Sequence, residues 1–302
     1  MQNIFSKIIL GTVQMGVPYG LGRWQHELMP EKESFAILDA AWERGITTLD
    51  TSPEYGVAEA RIAKYMRLNT NKPFHIISKI KNIPIDSEND QPQLQSWIEN
   101  SPFHKLNSCA SLSLLLHKEK DIYRSNVIDQ LDSLIHKKKL FSWGVSVYEE
   151  DAARYAANIE SCLLVQLPFG VLNQAFGRKG TIQLLSNRKK IVMARSIFLQ
   201  GLLLKSDESL LGFGEEIFSL ITTLRKFLTK HEFAINDFAI TFASMEKGIS
   251  NLVLGADDAV QLLSWKTDLE LLKQLILPQM LMKDLRHLDE HSLKPQSWKK
   301  IR

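Results

Sequence analysis

The chain has 302 residues, 44% of them hydrophobic and 24% charged, a composition that supports a large buried core and excludes a disordered or low-complexity chain. Its 37 basic and 34 acidic residues leave a net charge of +3, too weak a field to argue for nucleic acid. No apolar run approaches the roughly 20 residues of a membrane span, and the opening MQNIFSKIIL is too short in apolar residues for a signal peptide, so a cytoplasmic protein is expected.

The first apolar run, KIIL near position 8, reads as a strand. A glycine-rich segment, MGVPYGLGRWQHE, leads to a helical period from Glu31 to Arg44. ITTLD is the second strand, Val57 to Leu68 the second helix and FHIISK the third strand. The alternation continues through Gln91 to Glu99, SLSLLLH, Val127 to His136, FSWGVS, Glu149 to Ala157, CLLVQL, Gly180 to Arg188 and KIVMARS. A longer helical stretch and NLVLGA complete it, making eight strands. Runs apolar on both faces, such as LSLLL, suit parallel strands buried between an inner core and an outer helical layer.

Eight such units in roughly 250 residues fit a closed parallel (β/α)8 TIM barrel, which leaves no edge strand to protect. The alternative, an open dinucleotide-binding sheet, carries G-x-G-x-x-G after its first strand. Gly11, Gly16, Gly20 and Gly22 do not have that spacing. Proline and glycine fall between elements without gathering into a linker, so one domain over residues 1–302 is expected. Past the eighth strand, Asp257 to Ile276 and Pro278 to His291 read as two helices before a basic tail. This C-terminal helical extension, 257–302, would pack on the barrel and close over its mouth. The basic cluster His136 to Lys139 reads as a solvated helix end. Cys109 and Cys162 read as buried thiols, and no ligand spacing suggests a metal.

In a parallel barrel the C-terminal strand ends face the active site, so a polar residue closing an apolar strand points toward substrate. ITTL closes with Asp50, FHIIS with Lys79, SLSLLL with His117, WGV with Ser146, LLV with Gln166, and VMA with Arg195 and Ser196. Asp50, Lys79 and His117 stand on strands two, three and four and must converge. Tyr55, five residues after Asp50 in TSPEYG, can bring its phenol over the same mouth. An adjacent Lys79 ammonium would lower the phenol pKa, Asp50 would hold the ammonium, and His117 would donate to a carbonyl oxygen or share the Tyr55 proton.

These segments resemble the aldo-keto reductase family, whose motifs stand here as LGTVQMG, GITTLDTSPEYG, SK, LLLH, GVS and VQLPFGVLN. The family's tetrad falls on Asp50, Tyr55, Lys79 and His117. The resemblance implies reduction of a small aldehyde or ketone by a nicotinamide cofactor, with Tyr55 as proton donor. It implies cofactor contacts at Gly11 and Thr12, at Ser146 and Gln166 for the carboxamide, and at Arg195 and Ser196 along the seventh strand. Arg195 stands where many members have a stacking tyrosine, and the usual Ser-Asn pair reads Ser146-Val147. After the eighth strand, Gly255 and Ala256 offer backbone N–H groups at a helix start, with Gln261 beyond them.

Family membership implies NADP. Asp257 and Asp258, however, stand where NADP-preferring members place basic and hydroxyl residues, which keeps NAD as the alternative. Met15, Tyr19 and Trp24 are candidates for a substrate-pocket wall, and LGTVQMGVPYG resembles a branch associated with sugar metabolism. Two rivals remain: a Schiff-base aldolase using Lys79, and a cofactor-binding scaffold barrel with little turnover.

Overall fold

The computed structural model describes residues 4–84, 93–104, 106, 111–266 and 278–287. Strands β1 (Ile8–Gly11), β2 (Thr48–Asp50), β3 (His75–Ile80) and β4 (Leu112–Leu116) lie in sequence order. They are followed by β5 (Ser142–Ser146), β6 (Cys162–Pro168), β7 (Ile191–Arg195) and β8 (Asn251–Gly255). All pair in parallel, and β8 closes on β1 through pairs from Ile8↔Leu252 to Gly11↔Gly255. The expected closed barrel is therefore the fold.

Helices α1 (Glu31–Glu43), α2 (Ala58–Leu68), α3 (Leu94–Asn100), α4 (Ser125–His136) and α5 (Glu150–Asn158) follow the first five strands. Two short helices, α6 (Ala175–Arg178) and α7 (Thr181–Asn187), follow β6. The long segment after β7 divides into α8 (Asp207–Leu210), α9 (Glu215–Lys230) and α10 (Ile235–Met245). Their periodicity has a packing cause. In α4 the buried residues are Val127, Leu131 and Leu134, one stripe of the helix, and α5 lays Ala152, Ala153, Ala156 and Ala157 against the sheet. His136 to Lys139 are exposed, as expected for a helix end.

The period-two alternation of the strands sorts the barrel interior by height. At the bottom Ser113 hydrogen-bonds to both His75 and Ser142. Above them Ile9, Ile77, Leu115, Leu164 and Met193 form a separate apolar cluster. At the C-terminal rim the same faces present Asp50, Lys79, His117, Ser146, Gln166 and Arg195 to one cavity. A larger shell between sheet and helices, including Trp143, Phe74 and Phe238, provides most of the core.

The C-terminal extension, 257–302, is described only in part. The helix expected over Asp257 to Ile276 is α11 (Ala259–Ser264), ending where Trp265 adopts extended backbone at φ −59°, ψ 130°; residues 267–277 lie outside the described residues. A helix at Gln279–His287 packs against α9 on the outside of the barrel and adds no residue to the cavity. Among the described residues the loop after β1 lines the cavity through Val13, Gln14 and Tyr19–Gly22, and the basic tail lies outside them. Cys162 is buried, its thiol pushed up to about 12 by burial; Cys109 lies outside the described residues. No described helix is long and apolar enough to cross a membrane, and no described group of acidic, histidine and cysteine side chains is suited to a metal.

Candidate active site

The cavity at the rim measures about 400 Å³, and its chemistry is organised around Lys79, which is 2% exposed. Strand alternation points this side chain inward, where Nζ donates to Asp50 Oδ1 at 2.5 Å and to the Thr51 carbonyl at 3.1 Å. A third contact, 3.2 Å long, reaches the Tyr55 hydroxyl. Asp50 is saturated from its other side, because Gln166 Nε2 donates to Oδ2 at 2.7 Å. Ser146 Oγ in turn donates to Gln166 Oε1 at 3.2 Å, so residues from β2, β3, β5 and β6 form one connected network.

Local sequence explains why Tyr55 reaches this network from a loop. Ser52 Oγ accepts from Glu54 N–H at the start of a single 3₁₀ turn, Pro53–Tyr55, and Gly56 then takes φ 56°. The loop after β1 packs directly on that turn: a Cβ at Gly16 would stand 1.7 Å from the Tyr55 carbonyl oxygen. Only glycine permits this approach. Arg61 of α2 fastens both ends of the β1 loop, its Nη1 donating to the Met15 and Met29 carbonyls at 2.6 Å each.

Burial works against the Lys79 ammonium, but Asp50 and Tyr55 beside it hold its pKa above the ordinary lysine value. The Tyr55 phenol departs from the expected direction. Burial raises its pKa and outweighs the lowering by Lys79, so Tyr55 stays protonated. A protonated, desolvated phenol beside an ammonium is a competent proton donor that can share the developing phenolate charge with Lys79. His117 lines the same cavity. Burial and then the Lys79 charge push its pKa down to about 4, so the ring is neutral at pH 7, and its buried Nδ1 has no hydrogen-bond partner among the described residues. Behind the network, Ser78 Oγ donates to the buried Glu59 carboxyl at 2.6 Å, and burial raises that carboxyl to about 6.

Toward α11, Gly11, Thr12, Ser196, Gly255 and Gln261 line the cavity together with Lys205. Thr12 is fully buried, and its Oγ1 donates to the Asp50 carbonyl at 2.9 Å, which ties β1 to β2 beneath the site. Asp257 and Asp258 do not stand free. Asp257 Oδ2 accepts from Arg23 N–H at 3.2 Å, and its carbonyl accepts from the Trp24 indole at 2.6 Å. Asp258 caps α11 by accepting from Gln261 N–H at 2.7 Å, and it lies 3.8 Å from the Arg23 guanidinium. Both carboxylates are thus committed to fastening the β1 loop and starting a helix, and the Arg23 guanidinium stands beside Asp258.

Of the three expected pocket-wall residues, Tyr19 lines the cavity and Met15 and Trp24 do not. Met15 is 2% exposed and packs in the core, while Trp24 is held beneath the loop by its bond to Asp257. Ala256 is likewise buried outside the cavity lining, and the Asp257 N–H beside it is taken by Gln261 Oε1 at 2.6 Å. The sequence reading missed Gln14, Tyr148, Asn173, Phe176 and Lys205, all of which line the cavity. They sit in loops or short helices with no strand period to betray which way they face.

Fold and site together define a parallel barrel with an Asp–Lys–Tyr relay and a neutral histidine at its C-terminal mouth. The sequence profile of the Aldo/keto reductase family matches residues 7–266, and the chain belongs to that family. An aldo-keto reductase of Alternaria alternata is 38% identical over 68 residues, a match spanning 22% of this chain and 18% of that protein. The aldo-keto reductase of Bacillus halodurans, in its holo form, superposes with a TM-score of 0.68 at 14% identity, covering 95% of each chain. That of Klebsiella pneumoniae, solved in complex with NADPH, superposes with a TM-score of 0.64 at 18% identity, over 92% of this chain and 89% of its own.

Proposed function

We propose that the protein reduces an aldehyde or ketone with NADPH, Tyr55 protonating the carbonyl oxygen. The observation that carries this reading is the chain of contacts from Asp50 through Lys79 to the Tyr55 hydroxyl, 2.5 Å and 3.2 Å long, inside a cavity that His117 shares. When bound, the reduced nicotinamide supplies the hydride. Tyr55 gives its proton to the oxygen as negative charge develops there. Lys79 steadies the phenolate left behind, and Asp50 keeps the ammonium charged and aimed. His117, neutral at pH 7, orients the carbonyl by hydrogen bonding.

The residues present suit a dinucleotide. The cavity runs from the relay to the start of α11, its wall carries glycine at positions 11 and 255, and the buried Gln14 Oε1 beside Gly255 has no partner among the described residues. NADP is favoured over NAD because Asp257 and Asp258 are already engaged, with Arg23 beside Asp258, while Lys205 adds a positive charge to the cavity lining. The NADPH complex of the Klebsiella pneumoniae protein supports the same preference. A Schiff-base aldolase needs Lys79 as a neutral amine, and its pKa is shifted the wrong way.

The test is a screen of aldehydes, ketones and sugars with NADPH and with NADH, followed at the nicotinamide absorbance, alongside fluorescence titration of each cofactor. Turnover with NADPH and tighter binding of NADPH than NADH are expected. No turnover of any carbonyl with either cofactor overturns the reading.

A further inference from the structure

The relay leaves one buried ionisable group unused. Glu59 stands in the first turn of α2, directly after the turn that carries Tyr55, and is 6% exposed. Strand parity explains what it meets: Lys79 points into the barrel, so Ser78 before it points out toward the helical layer. There the fully buried Ser78 donates through Oγ to Glu59 Oε1 at 2.6 Å. Among the described residues no cation forms an ion pair with Glu59, because those around α2 have other partners. Arg61 donates to the Met15 and Met29 carbonyls, Lys64 pairs with Glu31 of α1 at 2.6 Å, and Lys72 pairs with Asp39 of α1. Lys81, on the loop after β3, pairs with Glu54 of the Tyr55 turn at 3.1 Å. The charge that acts on Glu59 is the Lys79 ammonium, on the opposite face of β3.

A contact that only had to hold α2 against β3 could be made by an amide, which accepts from Ser78 with no charge to desolvate. A carboxylate at that depth adds a second negative charge to Lys79, after Asp50. The two anions differ in kind: Asp50 touches the ammonium at 2.5 Å, whereas Glu59 acts on it through the strand. We infer that Glu59 is a positioning residue for the relay, seating β3 on α2 through Ser78 and competing with Tyr55 for the field of the Lys79 ammonium. This rests on the proposed carbonyl reduction and adds a pH response to it. Burial raises the Glu59 carboxyl to about 6, against the lowering by Ser78 and Lys79. Above that pH the ionised Glu59 offsets part of the ammonium field. Below it Glu59 is neutral, the whole field bears on the Tyr55 oxygen, and the phenol becomes a stronger acid. Carbonyl reduction therefore quickens as pH falls through 6.

The experiment measures kcat/KM for 4-methylbenzaldehyde with NADPH between pH 5 and 10 in the wild type, E59Q, E59D and S78A. The wild type is expected to gain roughly threefold as pH falls through 6, the effect of a modest rise in acidity on a proton-transfer step. E59Q should lose this step, and its alkaline limb should move to lower pH, since one anion fewer favours the ammonium and the phenol proton. E59D keeps the charge and should restore the step. S78A keeps the charge but removes a hydrogen bond that lowers the Glu59 pKa, so its step should move to higher pH. That movement separates an electrostatic role from a purely structural one, and it is read without E59Q if that variant does not fold. A wild type without the step, a step retained in E59Q, or a step unmoved in S78A overturns the inference.

A second arm does not need turnover: NMR of protein labelled with carbon-13 at tyrosine Cζ, in which Tyr55 is the one of six tyrosine signals missing from Tyr55→Phe. Its shift should step near pH 6 in the wild type and at higher pH in S78A, and should show no step there in E59Q. A Tyr55 signal that ignores this range in the wild type, or responds equally in E59Q, overturns the inference. If the Tyr55 step is present and neither 4-methylbenzaldehyde nor any other carbonyl turns over, the proposed reduction fails and the coupling across β3 stands. Turnover with a flat profile and no Tyr55 step sinks the coupling and leaves the reduction intact.

Discussion

The two ends of the barrel interior use similar residues to opposite effect. At the bottom, His75 Nε2 meets Ser113 Oγ at 3.0 Å, Ser113 meets Ser142 at 2.7 Å, and His75 Nδ1 meets Ser111. Each polar group there spends its capacity on another, so the cluster closes on itself. At the top, His117 keeps a buried nitrogen without a partner among the described residues, and the Tyr55 hydroxyl meets an ammonium. Burial depresses the pKa of both histidines, so protonation state does not separate them. The difference is unspent hydrogen-bonding capacity in a cavity, which is what a site for a ligand requires.

The sharpest way to break this contrast is Tyr55→Phe, which removes the proton donor and keeps the ring. Carbonyl reduction should fall by roughly 100- to 10,000-fold while NADPH titration changes little. Unchanged turnover would take Tyr55 out of the chemistry. Lys79→Met comes next, because it leaves Asp50 buried without its counter-charge. A loss of about 3–5 kcal/mol in denaturant unfolding is expected together with loss of turnover, and full stability in this variant would mean that the pair is not buried as described.

His117 makes a smaller, pH-dependent difference. Its folded pKa of about 4 lies below the ordinary 6.5, so the unfolded chain binds more protons between those values. Stability therefore falls as pH drops from 6.5 to 4 and is unaffected by this group above 6.5. For a partly exposed ring the loss is roughly 2 kcal/mol after solvent screening. The stability of the wild type relative to His117→Gln should fall by about that amount as pH drops from 6.5 to 4; a difference that stays constant would mean the imidazole titrates normally. Ser113→Ala at the bottom cluster should cost about 1 kcal/mol of stability and leave kcat/KM unchanged. A large kinetic effect there would erase the distinction between the two ends.

Much of this is legible in the sequence. The eight strands, their order and the inward parity of Asp50, Lys79 and His117 follow from period-two alternation and strand direction, because a parallel strand aims its last inward residue at the mouth. SLSLLLH carries Ser113 and His117 on one face, and direction alone assigns one to the floor and the other to the site. Loop residues had no such rule. Met15 and Trp24 looked like a pocket wall beside Tyr19, yet Arg61 and Asp257 draw the loop down at those two points. Asp257 and Asp258 looked like free acids until their backbone and capping partners were visible.

The sequence by itself determined the barrel and the members of the relay, since both depend on short-range periodicity and on residues that close strands. Only the tertiary structure decided how charge is distributed among them. Burial outweighs the Lys79 ammonium at Tyr55, Gln166 shares Asp50, and Arg195 stacks on Tyr148. Those outcomes depend on desolvation and on distances between side chains far apart in the chain, and no local pattern encodes either.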